Sequence, residues 1–405
     1  MNEQIQKARD AAIEALKPSA KDIEHGLELH ANSLVFESYG FAPRAAPDGA
    51  ALAAAIDAGA SNLELQDMRE EMMMTRMVTV PAERKEFTEA WDASGVDCIF
   101  QNAGEEGGNS PKRLIRRLAR FTYVGDFMRD YVVRAATPDD VVAAHATGKR
   151  AFYMSANSVP LAQEWTNPAE ELRYIAVSFQ LGHRMMHLTY NRRNLLGDGC
   201  GEATDAGLSD FGRAAVAEMN RVGVIVDVAH SGWQTALEAA QASSKPMVAS
   251  HSGCCAVNEN IRCKPDNVIR AIADTGGFVG VCCIPSFLGG AGDINAMLDH
   301  IDHIVKTFGP DHTAIGTDVA YTSRNAATEM AKVAKFPRSR QRWAALWPKG
   351  SLESKPAYKQ GALTMAWTNW PMFTVGMVQR GYSDDDIQKI LGGNVLRVAL
   401  AVLQH

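Results

Sequence analysis

The chain has 405 residues, 46% of them hydrophobic and 22% charged, with a net charge of -6 and a pI near 6.0. This is the composition of a globular protein with a large core, and its acidic balance argues against nucleic acid or an anionic membrane surface as partner. No segment reaches the ~18 apolar residues of a membrane span, and seven cysteines without zinc-type pairing suit a reduced, cytoplasmic protein.

Residues 1–30 begin "MNEQIQKARDAAIEALKPSAKD", polar and helical in pattern without a secretory apolar stretch, and predict an N-terminal helical extension. Short apolar runs then alternate with helical segments. The runs are "SLVFE" (33–37), "SNLEL" (61–65), "RAFYMS" (150–155), "HRMMHLT" (183–189), "GVIVDVA" (223–229), "KPMVAS" (245–250), "GGFVGVCCI" (276–284) and "HTAIGT" (312–317). A ninth, "VDCIF" (96–100), competes with the second. Apolar residues at three- and four-residue spacing predict helices over 210–222, 233–243, 265–276 and 294–309. The arginines of "RLIRRLAR" (113–120) read as a solvated helix face, and Met72, Met73, Met74 and Met77 as packing or a mobile lid.

Strands apolar throughout, each followed by a helix, require a parallel sheet covered on both faces. Eight of them predict a (β/α)8 TIM barrel over 1–405 as one domain; a doubly wound open sheet is the alternative, weakened because no G-x-G-x-x-G follows an early strand. The insertion-like stretch 335–356 carries Trp343 and Trp347, placed to cover the barrel mouth or a dimer contact.

A barrel gathers its chemistry where the strands end. The residues there are Glu37 and Tyr39, Asn157, Tyr190, His230, His251 and Asp318. Two histidines from successive strands and an aspartate after the last are the ligand types of catalytic Zn²⁺ sites. Asp318 is a candidate ligand or a general base that takes a proton from water and returns it to a leaving amine. Arg262, in the loop beyond His251, offers a planar fork to a substrate carboxylate, and Tyr190 a donor to an oxyanion. Cys200 and Glu202 lie in "GDGCGE", which reads first as turn chemistry.

The stretches "GLSDFGRAAVAEMNRVGVIVDVAHSG", "SSKPMVASHSGCCAVNENIRCKPDNVIRAIADTGGFVGV" and "AIGTD" resemble the membrane (renal) dipeptidase family of metallopeptidases, from about residue 28 to the closing "ILGGNVLRV" (390–398). The resemblance implies an amidohydrolase-type barrel, usually a homodimer, with a two-zinc site that hydrolyses dipeptides bearing a free carboxylate. It puts His230 and His251 at the two strand-end histidine ligands, Asp318 at the proton-handling carboxylate, Arg262 at the carboxylate receptor and Tyr190 at a substrate-contacting histidine. It also shows departures. Where the family's first strand carries a ligating His and Asp, this chain has Tyr39 and Phe41, and where the bridging Glu stands it has Asn157 or Ala156. Phe ligates nothing, and Tyr only as a phenolate, whose free pKa is ~10. One carboxylate cannot balance two dications, so the expectation is at most one metal, zinc first, on His230 and His251. Three readings stay open: a dipeptidase-like hydrolase acting on a small carboxylated substrate, a metal-independent enzyme of changed chemistry, and a non-catalytic binder of a small ligand.

Overall fold

The computed structural model describes residues 1–104, 110–333, 336, 348 and 355–403. Its strands are β1 (Phe36–Gly40), β2 (Cys98–Asn102), β3 (Val132–Arg134), β4 (Arg150–Ala156), β5 (His183–His187), β6 (Ile225–Asp227), β7 (Val248–Ser252), β8 (Phe278–Val281) and β9 (Thr313–Ile315). All pairings are parallel, in the order β1-β2-β4-β5-β6-β7-β8-β9, with β3 against the start of β4 and β5 against its end. Parallel neighbours need a crossover. Helices Asp210–Val222, Trp233–Ala242, Asp266–Asp274 and Ile294–Phe308 supply four of them, as the periodicity predicts. The first starts at Ser209, whose side chain accepts from Gly212 N, buries Ala215, Val216 and Met219, and stops at Gly223 with φ 91.

The sheet curls into a nearly closed (β/α)8 barrel. At the seam Asp318 N–H reaches Tyr39 O at 3.3 Å. The carboxyl of Glu37 accepts from Thr317 N at 3.1 Å, from Thr317 Oγ, and from Trp367 Nε1 at 2.8 Å. A side chain thus does at the seam what a ladder does elsewhere.

Two expectations change. "SNLEL" is not a strand but the start of helix Asn62–Thr79; Ser61 and Glu64 form a reciprocal capping box, and S-x-x-E is a helix-start signature. The competing run "VDCIF" provides β2. The arginines at 113–120 are only partly a solvated face, because Arg117 and Arg120 both pair with Glu70, at 2.5 and 3.5 Å. Met77 is buried, which agrees with packing. Trp343 and Trp347 lie outside the described residues. Helices Glu3–Leu16 and Ala20–Ala31 form the N-terminal extension, and Arg9 donates to Thr368 O at 3.0 Å, beside Trp367. Among the described residues no helix is long and apolar enough to cross a membrane.

Side chains alternate between the two faces of a strand. Phe36, Phe100, Tyr153, Met185, Ile225, Val248, Phe278 and Ala314 share one buried cluster with Val395, Val398 and Val402 of the closing helix, which makes an apolar floor inside the barrel. Two residues further along the same faces stand Ser38, Asn102, Ser155, His187, Asp227, Ser250, Gly280 and Gly316. The glycines are required there, because a Cβ at either would sit 2.0 or 2.1 Å from Ser250 O. Above an apolar floor the barrel therefore carries a polar layer, and the site is built on it.

Candidate active site

Three histidines meet at the mouth. One ring nitrogen from each of His187, His230 and His251 lies within 4.8 Å of the others, and all three residues are buried. His187 ends β5 directly opposite Asp227 of β6. His230 follows β6, and His251 lies within β7. The strand-end reading includes His230 and His251 but misses His187 and Asp227. Both lie within apolar runs, and stepping two residues up each strand from its floor residue finds them.

The hydrogen bonds fix the tautomer of each ring. His187 Nδ1 is 3.0 Å from Ala156 O, which only accepts, so Nδ1 carries the proton. His230 Nδ1 is 2.6 Å from Asn191 Oδ1. Cys200 Sγ donates to the same oxygen at 3.4 Å; burial raises that thiol, so it keeps its proton. His251 Nδ1 is 2.9 Å from Ser250 Oγ, whose own hydrogen goes to Asp227 Oδ2. Each Nε2 is therefore unprotonated. Those of His230 and His251 face each other at 2.8 Å. That of His187 is 3.0 Å from Asp227 Oδ2 but misaligned, and is left without a hydrogen-bond partner. Burial, followed by the charge of Arg262, holds His230 and His251 well below the ordinary histidine pKa.

Two tyrosines sandwich the pair. Tyr39 stacks on His251 with centroids 3.9 Å apart, and Tyr190 on His230 at 4.0 Å. Burial raises both phenols well above their usual value, so both stay protonated. Tyr39 donates to Asn157 Oδ1 at 2.8 Å. Arg262 is 1% exposed; its Nη1 donates to Ala229 O and its Nη2 to His230 Nε2 at 3.3 Å. The structure thus brings Arg262 to the histidines, with its fork already engaged. Lys264 lies behind them, its Nζ on Ser231 O at 2.7 Å and its pKa lowered by burial to about 8.

Asp318 follows β9 with φ 57, a left-handed conformation uncommon outside glycine and of the kind that persists where the surroundings over-determine it. Its carboxyl makes no hydrogen bond among the described residues. It is surrounded by protein yet keeps part of its surface open in the mouth, and burial pushes it up to about 6 against the pull of Arg262 and Arg44. Cys200 and Glu202 serve the loop as expected: Cys200 steadies Asn191, and Glu202 accepts from Arg193 N at 2.9 Å.

These residues do not fit two metals. The neutral Tyr39 and Asn157 bond to each other, and Phe41 packs edge-on against Tyr39 at 6.0 Å. They do fit one metal, because three imidazole nitrogens converge and that of His187 makes no hydrogen bond among the described residues.

Known proteins resemble the chain as follows. Dipeptidase tcpJ of Claviceps purpurea (strain 20.1) is 27% identical over 274 residues, 66% of this chain and 55% of that protein. Dipeptidase verJ of Clonostachys rogersoniana is 27% identical over 223 residues, 54% and 48% respectively. The chain spans about half the length of these curated relatives. Among solved structures, an amidohydrolase from Pseudomonas aeruginosa superposes with a TM-score of 0.65 at 24% identity, covering 93% of this chain and 98% of that one. A metallopeptidase from Rhodobacter sphaeroides, liganded with a phosphinate mimic of L-Ala-D-Ala, gives 0.62 at 17%, covering 92% and 100%. At these identities the structures speak for the fold. The family model described as membrane dipeptidase, peptidase family M19, matches residues 27–340, well over half of the sequence, and the chain belongs to that family.

Proposed function

We propose that the protein is a dipeptidase-like hydrolase that cleaves a dipeptide or small amide bearing a free carboxylate, with at most one divalent metal, zinc by preference. The observation that carries this reading is the Asp318 carboxyl, pushed up to about 6 and, among the described residues, free of hydrogen bonds in a mouth lined by three imidazoles. A carboxylate titrating near neutrality is suited to take a proton from water and return it to a leaving amine. His230 and His251 hold the metal or act on the substrate directly. A bound zinc would supply acidity, lowering the pKa of its water to ~7. Tyr190, protonated and stacked on His230, gives its O–H to the developing oxyanion. Tyr39 and Asn157, joined by their hydrogen bond, form the opposite wall. Arg262 receives the substrate carboxylate.

The test is hydrolysis of a dipeptide panel, each member with a free and an amidated C-terminus. Turnover of the free acids, lost in Asp318→Asn, supports the reading. Turnover that survives EDTA moves the chemistry to His230, His251 and Asp318 alone. Carboxylate-dependent thermal stabilisation with no turnover replaces the enzyme with a binding protein. A homodimer in a reducing cytoplasm belongs to the same proposal and is tested by size-exclusion chromatography and localisation.

A further inference from the structure

We infer that the chain holds a single divalent cation on Nε2 of His187, His230 and His251, a three-imidazole centre in which His187 is a ligand. This deepens the reading of a one-metal hydrolase, yet it stands or falls by metal binding rather than turnover.

The tautomers carry the argument. Three different oxygens, of Ala156, Asn191 and Ser250, take the three Nδ1 protons. A metal-bound histidine is usually held in this way, its second nitrogen donating to an outer oxygen that fixes the ring and raises its basicity. All three Nε2 lone pairs are then left to point inward.

Two unprotonated nitrogens 2.8 Å apart repel unless a cation or a proton stands between them, and the N–H of Arg262 Nη2 reaches only that of His230, at 3.3 Å. A proton is one choice, and it serves these two rings alone. A divalent cation is the other, and it also serves His187 Nε2, which a proton shared by His230 and His251 leaves orphaned. Tetrahedral zinc with bonds of 2.0–2.1 Å needs nitrogens roughly 3.3 Å apart, so the His230 and His251 rings part by about half an ångström and His187, within 4.8 Å of them, closes in.

Charge agrees with one cation and not two. Asp227 is fully buried, with Oδ1 held by Ala229 N at 2.9 Å and Ser250 N at 3.0 Å, and Oδ2 by Ser250 Oγ. It lies 3.0 Å from His187 Nε2, and with Asp318 it supplies two negative charges around the mouth. Arg262 and Lys264 balance these two charges, so one dication is the most the mouth's charge tolerates and a second would add to a net positive site.

The experiment is reconstitution of the full chain with Co²⁺ or Zn²⁺, read by bound-metal stoichiometry, Co²⁺ visible absorption and metal-edge X-ray absorption. One equivalent, a tetrahedral Co²⁺ band and three imidazoles in the X-ray spectrum are expected. His187→Gln should weaken binding by more than about 100-fold, with circular dichroism confirming its fold, while Asp318→Asn should retain the band. Because the X-ray arm uses the unaltered chain, it decides even if the variant fails to fold. No bound metal, two equivalents, or two imidazoles in place of three would overturn the inference. Metal bound as described without peptide hydrolysis would leave it standing and remove the hydrolase reading.

Discussion

The phenol of Tyr39 donates its hydrogen to Asn157 Oδ1 across 2.8 Å, so two residues that the family resemblance sets at ligand places are bonded to each other. The bond spans β1 and the end of β4, and among the described residues Asn157 Nδ2 has no hydrogen-bond partner. Tyr39→Phe should cost about 1 kcal/mol of stability, read by urea denaturation, because it strands the amide's remaining end. The combined change Tyr39→His, Phe41→Asp and Asn157→Glu restores the missing ligand types and should raise bound zinc from one equivalent to two, read by elemental analysis. A variant that folds and still binds one would place the loss of the second site elsewhere.

Asp318 should set the acid side of the rate profile. Its pKa of about 6 arises because burial outweighs Arg262 and Arg44. A base works deprotonated, so kcat/KM should rise with pH through about 6 and level above it. Asp318→Asn should lose about 10²–10⁴-fold with no such limb. Arg44→Ala removes a cation that favours the carboxylate, and the limb should move to higher pH. A limb that stays in place would detach it from Asp318.

Glu37 should make stability depend on pH at the barrel seam. Burial raises its pKa from 4.5 to about 8 in spite of the hydrogen bonds from Thr317 and Trp367. The folded chain thus binds this proton more tightly than the unfolded chain. The contribution is complete below about 4.5 and is lost as pH rises through about 8. Glu37→Gln keeps a neutral side chain of the same shape, so its Tm should fall less than that of the unaltered protein between pH 5 and 8. Parallel Tm profiles would show that Glu37 does not titrate there.

Ser250 links two groups, accepting from His251 Nδ1 and donating to Asp227 Oδ2. Ser250→Ala should destabilise the fold by about 1–3 kcal/mol, because a buried carboxylate loses a donor. It should also weaken metal affinity by about 10–100-fold, as outer-shell changes do. Calorimetric unfolding and competitive metal titration measure the two effects, and unchanged affinity would remove Ser250 from the metal's support.

Arg262 Nη2 spends its hydrogen on the lone pair that a metal would take from His230. Metal binding should therefore release that N–H, and a dipeptide with a free carboxylate should bind the loaded protein more tightly than the metal-free one. The corresponding amide should show no such preference. Isothermal titration of both ligands in Asp318→Asn, which stops turnover, measures the difference.

The amino-acid sequence alone determined much of this molecule. Apolar runs followed by helical spacing require a covered parallel sheet, and His230, His251 and Asp318 were legible as chemistry because each follows or ends such a run. By its resemblance to the family, the sequence also implies which ligands are replaced, with Phe41 and Asn157 or Ala156 at their places. It misplaced "SNLEL", where local capping by Ser61 and Glu64 decides for a helix. It passed over His187 and Asp227, which look like polar interruptions of apolar strands.

Only the closed barrel decided the rest. Period-two alternation fixes the face each side chain takes, but the stagger between strands fixes which side chains stand level. That stagger sets His187 beside Asp227 and both next to His251, from residues far apart in the chain. The hydrogen-bond partners that leave each Nε2 unprotonated are a backbone oxygen and an amide from two more places, and the hydroxyl of Ser250, which precedes His251. Convergence of lone pairs is a property of three-dimensional packing, and no spacing along one chain expresses it.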